Sequence, residues 1–396
     1  MAHPAPPRPH HANRPSRVRA ASRAGALLHP ASTYVRAVVV SALVFTLGAA
    51  LAATVLSSAV RTVVVPRAQR SRLSRITFDA VRTLLRLRLG RAPAYAERDR
   101  VMALLAPLSL VALPVVWLAI VHVAYSCMYW ALGARPWRTA FTFSGSSLLT
   151  LGFSSTKDLP KLTLAFTEAG MGLGLVALLI SYLPTLYSTF NRRELAVALL
   201  EVRADSPPSG PNMIVRYHRI GWHGGLTAVW KDWETWFADV EETHTSLAAL
   251  SFFRSPQPDR SWVTAAGAVL DAASLVASTV DGPRDPEAEL CVRAGYVALR
   301  TIADYFQIGY DPDPAPDDPI SISRDEYDEV CARLESVGVR LKPDRDQAWR
   351  DFAGWRVNYD RVLVALATLT MAPPAPWSSD RAPGFRRPPL RRRPRR

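Results

Sequence analysis

Thr150-Leu151-Gly152-Phe153-Ser154 is the stretch whose residue types and order could do chemistry. Successive backbone carbonyls aimed at one axis, with a threonine hydroxyl at the inner end, can replace the hydration shell of a monovalent cation. Aiming consecutive carbonyls the same way needs alternating backbone handedness, and glycine is required where φ turns positive. Gly152 meets that demand, and Thr150 supplies the hydroxyl. Leu151 and Phe153 have apolar bodies that would pack outward on the preceding helix, where Trp137, Phe141 and Phe143 offer a cuff. The fifth position is Ser154, so the outermost carbonyl depends on a serine taking the left-handed shape, at roughly 1 kcal/mol or somewhat more.

A non-helical loop of this kind is tolerated at membrane depth only where it is buried in protein or lines water. The flanking sequence has the elements to bury it. Val101–Leu132 is an apolar span with Pro107 and Pro114 to bend it and Tyr125, Tyr129 and Trp130 at the interface. Trp137–Leu149 is an amphipathic half-span that should start near Pro136 and aim its negative C-terminal end at the cavity. Arg135 and Arg138, near its start, do not favour that dipole and would face headgroups. Leu162–Phe190 is the last apolar span, closed by Asn191-Arg192-Arg193-Glu194. A single loop per chain cannot enclose an axis, so a ring of subunits is implied. Gly170, Gly172 and Gly174 on the last span fit either a hinge that opens the inner end or small residues for close helix packing, Gly170 and Gly174 having small-xxx-small spacing. Glu168, an acid near or within the membrane, should pair or face water, with Arg138 or Lys161 as partner. His122 reads as a packed side chain before a proton relay.

Charge separates the rest of the chain. The 396 residues carry 48 Lys plus Arg against 34 Asp plus Glu, a formal charge of +14. Residues 1–100 hold 17 Arg against Asp79, Glu97 and Asp99, and residues 381–396 hold 8 Arg and no acid. This charge flanks apolar runs or lies in Pro-rich ends, which points to anionic lipid and topology control and away from nucleic acid. Residues 1–34 read as a disordered basic N-terminus. Residues 35–60 read as an additional transmembrane helix, since Ala37–Val60 is charge-free and long enough to span; its apolar core is too long and too late for a cleaved signal. Residues 61–100 interleave Arg with Leu73, Ile76, Phe78, Val81, Leu84 and Leu85 at helical spacing. Either a basic amphipathic helix on the cytoplasmic leaflet or a helix docking on the soluble part follows. Three crossings with Arg192-Arg193 inside place the Arg-rich N-terminus outside, against the positive-inside rule.

Residues 194–371 form a helical cytoplasmic domain by pattern, with helices over 225–247, 261–278, 288–306, 324–337 and 346–369 and breakers at 205–211, 281–283 and 311–319. Residues 372–396 read as a disordered polybasic tail. Cys127, Cys291 and Cys331 have neither metal nor disulfide spacing. Glu241 and His244 share a helix face, as in half of a di-iron site, but no second Glu-x-x-His exists, so a solvated helix end is the reading. No nucleophile elbow, P-loop or zincin helix appears, so neither enzyme activity nor a cofactor is expected.

Ser144 through Ser154 followed by Gly170–Glu194 resembles the pore domain of the two-transmembrane-helix potassium-channel family. More narrowly, Ser181-Tyr182-Leu183-Pro184-Thr185-Leu186-Tyr187, Arg192-Arg193-Glu194, Ser261-Trp262-Val263 and Leu270-Asp271-Ala272-Ala273 resemble bacterial potassium-channel-like membrane proteins. The resemblance implies an all-α membrane protein: outer helix, pore half-helix, filter loop and inner helix over 101–193, with an extra N-terminal transmembrane helix. It also implies a homotetramer in the bacterial plasma membrane, with Thr150, Leu151, Gly152, Phe153 and Ser154 at the ion-coordinating filter positions. Two departures stand out: Ser154 replaces the second filter glycine, and Ser155 replaces the acid that normally follows. A non-conducting pseudo-channel, serving as a membrane-anchored signalling or interaction protein, is the alternative.

Overall fold

The computed structural model describes residues 30–63, 72–88, 95–221 and 224–381. The expected basic N-terminus up to residue 29 and the end of the chain from 382 lie outside the described residues. Among the described residues all regular structure is helical, with one isolated antiparallel bridge between Val280 and Leu341.

The apolar runs of the sequence set the first group of helices: α1 (Pro30–Val63), α2 (Arg72–Leu87), α3 (Tyr95–Met102), α4 (Leu105–Ala131), α5 (Trp137–Leu148) and α6 (Leu159–Ala204). Three stretches, Tyr34–Val63, Asp99–Ala131 and Leu159–Ala204, are long and apolar enough to cross a membrane. α1 lies on α4 because Gly48 lets the backbones meet: a Cβ there would stand 2.6 Å from the Ala124 carbonyl oxygen. Such small-residue contacts are what hold apolar helices together where lipid removes any hydrophobic drive. Val55, Ala59, Val121 and Ala124 fill the seam and are fully or almost fully buried.

α2 serves two surroundings. Leu85 packs with Met102 and Leu105, and the Phe78 ring stands 5.8 Å from Phe252 of the C-terminal domain. Ile76, Leu84 and Leu87 remain exposed on the other side, beside Arg72 and Arg75. The docking reading therefore holds for one face of this helix.

The second group is α7 (Gly210–Arg219), α8 (Gly225–Ser246), α9 (Trp262–Ser278), α10 (Pro286–Phe306), α11 (Arg324–Ser336), α12 (Arg345–Arg356) and α13 (Asp360–Thr370). α9 is its centre: every residue from Trp262 to Leu275 is buried, and α7, α10, α12 and α13 surround it. Trp230, Trp233 and Trp236 recur every three residues because one face of α8 enters this core. The helices start where short polar residues cap them: Ser261, Asp285 and Asp344 each accept a backbone N–H, and Ser323 forms a reciprocal capping box with Glu326.

Three expectations shift. The breaker at 205–211 already contains the first residues of α7, since a Cβ on Gly210 would stand 2.7 Å from the Ala272 backbone nitrogen and glycine is what seats that helix on α9. The helix expected over 346–369 is two, α12 and α13, separated at 357–359. Residues 372–381, expected as tail, pack on the domain, with Ala375 and Trp377 buried.

Arg381 pairs with Glu326 and, together with the Ser323 backbone and hydroxyl, holds that carboxyl down to about 2. A depressed carboxyl contributes stability above its unfolded value near 4.3, and the contribution is lost as pH falls toward 2. Arg381→Ala should therefore move the acid-induced loss of tryptophan fluorescence structure to higher pH; an unmoved acid transition counts against the pair.

Candidate functional site

The half-length helix α5 is held in place by small and polar residues. Pro136 precedes its first turn, and the Arg135 guanidinium lies over the Trp130 ring at 4.5 Å. Ala140, Ser144 and Leu148, one turn apart, form its buried line between α4 and α6. Ser144 is the meeting point. Its hydroxyl donates to Glu168 Oε1 at 2.5 Å, and its oxygen lies 2.8 Å from His122 Nδ1, so the three helices are joined by one polar cluster. The His122 carbonyl accepts from Ser126 at 2.7 Å. Tyr125 donates to Thr167 at 3.2 Å, and the Tyr129 ring stacks on Phe143 at 5.8 Å.

Glu168 is fully buried. Its partner is Ser144 and not Arg138 or Lys161; Lys161 is instead paired with Asp158 at 2.9 Å. The reason is position: Glu168 faces α5 about two and a half turns below the helix start, whereas Lys161 sits in the first turn beside Asp158. His122 is the packed side chain expected, with Phe141 edge-on at 4.2 Å.

Lower on the same seam, Gly172 meets the end of α5. A Cβ on Gly172 would stand 2.3 Å from the Leu148 carbonyl oxygen. Gly170 and Gly174 have nothing within 4 Å, so the close-packing residue is Gly172 and not the Gly170/Gly174 pair. α6 runs without interruption past all three glycines.

The loop begins as a helix stop. Leu151 N–H bonds the Ser146 carbonyl at 2.9 Å and Thr150 N–H bonds the Ser147 carbonyl at 3.0 Å, with Thr150 at φ +54. That pair of bonds closing over a left-handed residue is the Schellman arrangement, where glycine is the usual occupant. A β-branched residue there is strained. Gly152 follows at φ +70, so the handedness alternates across two residues. Ser154 does not continue the pattern. It is not among the positive-φ residues, and its N–H bonds Ser146 Oγ at 3.0 Å, which ties the outer end of the loop back to α5. Left-handed backbone thus falls at Thr150 and Gly152, where sequence reading looked for it at Gly152 and Ser154. Leu151 and Phe153 are 61% and 65% exposed in the single chain, and Phe141 and Phe143 pack on α4 residues, so the aromatic cuff does not close over them within one subunit.

Where the last span ends, Arg193 enters the C-terminal domain. It is 1% exposed and donates to the Leu250 and Phe253 carbonyls, each at 2.8 Å, to His244 Nε2 at 3.1 Å and to Glu194 at 2.7 Å. Arg254 then ties the same segment to Asp99 and to the Thr370 and Met371 carbonyls, each at 3.0 Å. The stretch 250–254 is therefore bonded to α3, to α6 and to the end of α13. In the sequence this junction shows only as the charged stop Asn191-Arg192-Arg193-Glu194.

His244 is buried, which corrects the solvated-helix-end reading. Burial and the neighbouring Arg193 charge hold its pKa well below the usual value. Its Nε2 lone pair accepts from Arg193, leaving none for a metal, and no metal-holding cluster occurs among the described residues.

No known protein family, curated protein or solved structure matches the chain.

Proposed function

We propose that the chain is one subunit of a homo-oligomeric, channel-like membrane protein that passes potassium or another monovalent cation passively through the loop 150–154. One observation carries this reading: left-handed backbone at Thr150 and again at Gly152, two residues apart, at the end of a half-length helix held between two apolar spans. That alternation aims neighbouring carbonyls to one side, and the C-terminal end of α5 adds partial negative charge at the same place. The exposed Leu151 and Phe153 are consistent with cover from adjacent copies, four by the family resemblance. Arg residues beside α1 and α2 favour anionic lipid on the side of the helical domain, which would be cytoplasmic and would act in assembly or gating. Gly170, Gly172 and Gly174 stay as candidate gating positions, with Gly172 the one constrained by contact.

In proteoliposomes the protein should pass monovalent cations, and Gly152→Asp should abolish the flux by placing a side chain and a charge in the loop. Ser154→Gly should raise potassium over sodium selectivity. Undiminished flux through a properly assembled Gly152→Asp protein overturns the reading.

Ser154 favours a second reading. With its backbone tied to Ser146 and its φ outside the left-handed range, the scaffold would serve as a non-conducting, membrane-anchored interaction protein. An assembled wild type that passes no ion while its helical domain captures a partner supports this version.

A further inference from the structure

α6 has two apolar faces, and only one is covered. Leu164, Gly172 and Leu175 are buried against α4 and α5, and Val197, Leu200 and Ala204 against the C-terminal domain. On the opposite side Phe166, Leu173, Ile180 and Tyr187 recur every seven residues, and all four are exposed. Gly170, Ala177 and Pro184 fill the alternate positions, so the steps run four-three-four-three without a break. Apolar residues kept in line at this spacing form the seam of helices that wind around one another.

The stripe does not stop where the span does. Past Asn191-Arg192-Arg193-Glu194 an exposed aliphatic stripe resumes one residue out of the seven-residue step, at Leu195, Leu199 and Val202, which are 63%, 48% and 70% exposed; an inserted residue of this kind shifts a seam locally without ending it. Inside a bilayer, lipid tails are enough to cover an apolar helix face. They cannot cover this lower stretch, because the same turns are embedded in the polar domain: Arg193 donates to its carbonyls, Arg192 pairs with Asp239, and Glu201 pairs with Arg260. Three large aliphatic side chains in line would face water there over about two turns of helix.

The occupant that the spacing fits is another copy of this chain. The ends of the chain outside the described residues, 1–29 and 382–396, are rich in Arg and Pro and offer no apolar helical repeat. A second copy of α6 offers the same spacing in the same register. Charge also permits it, since Arg192 and Glu201 beside the stripe are already neutralised within their own subunit. Asn191, at the seam position on the boundary, is the kind of polar residue that fixes register between like helices.

We infer that the exposed stripe of α6 is a self-association surface that runs through the apolar span and beyond it, with Leu195, Leu199 and Val202 packed against the same residues of neighbouring copies. This deepens the oligomer of the proposed function by naming its contact surface, and it does not depend on whether the pore conducts.

The test is disulfide cross-linking of the full chain in membranes. Single cysteines at 195, 199 and 202 are introduced in a Cys127→Ser background, with Leu290→Cys as a collision control; Leu290 is exposed on α10. Oxidation should give cross-linked dimers at the three stripe positions, several-fold above the control. Cross-linking no higher than at position 290 overturns the inference. Leu199→Glu combined with Val202→Glu should lower the oligomeric mass in native mass spectrometry while helix content is kept, because both side chains are exposed in the subunit. An unchanged mass would also count against it. Stripe cross-links without ion flux leave this surface standing and remove the conducting reading; flux with only collision-level cross-linking does the reverse.

Discussion

Gly172→Ala should dislodge α5 from α6 and, with it, the loop that α5 carries. The added methyl would stand 2.3 Å from the Leu148 carbonyl oxygen and 3.3 Å from its carbonyl carbon. The obstacle is backbone, so no rotamer change relieves it; one helix must move. Overpacking of this kind costs about 1–3 kcal/mol, occasionally more. The shift also reaches Thr150, whose left-handed cap depends on the Ser146 and Ser147 carbonyls one turn before. Gly174→Ala is the matched control. It lies on the same helix with nothing within 4 Å, and alanine is the better helix former by about 0.8–1.0 kcal/mol, so its stability should hold or rise slightly. Thermal unfolding in detergent should separate the two variants. If they behave alike, α5 is not seated on Gly172.

The contrast between these glycines shows what the sequence could and could not disclose. Long apolar runs announce the three helices that are long and apolar enough to cross a membrane, and the start of α5 expected near Pro136 falls at Trp137, with Pro136 as its N-cap. Thr150-Leu151-Gly152 was legible as a turn with a left-handed requirement. Which residue meets that requirement was not, because the Schellman cap at Thr150 is decided by where α5 ends and not by a glycine. Three glycines at alternate positions look equivalent in sequence; only the approach of Leu148 distinguishes Gly172. Glu168 was visible as an acid needing a partner, yet its partner is a serine 24 residues earlier, and no local spacing reports a contact between helices. Likewise His244 carried a metal-like spacing with Glu241, while the residue that uses its lone pair is Arg193, on the inner helix.

The buried charge in the C-terminal domain should produce the largest loss of stability. Arg356 is fully buried, and each of its three nitrogens has a separate acceptor: Nε donates to Asp360 at 2.8 Å, Nη1 pairs with Asp271, and Nη2 donates to the Trp377 carbonyl. Asp271 also accepts from the Tyr359 hydroxyl at 2.9 Å, and Asp360 from the Ser321 N–H at 2.9 Å. Burial acts against the guanidinium charge, but the two carboxylates outweigh it and raise the Arg356 pKa, while burial pushes Asp271 up to about 6, so the Asp271–Arg356 pair is charged at neutral pH and loses its carboxylate charge as pH falls through about 6. It ties α9, α12, α13 and the 377 segment to one another. Arg356→Met leaves Asp271 buried without its counter-charge, a loss of about 3–5 kcal/mol, a large part of the roughly 5–15 kcal/mol by which a domain is stable. Arg356→Lys should rescue little, since an ammonium on a flexible stem cannot reach three diverging acceptors in one plane. Asp271→Leu combined with Arg356→Met should recover much of the loss, because the uncompensated carboxylate is then gone. Denaturant unfolding of the full chain, followed by tryptophan fluorescence, reads all three. A single Arg356→Met variant within about 1 kcal/mol of wild type would show that water or a rearranged Tyr359 satisfies Asp271, and the cluster would not be what holds these helices together.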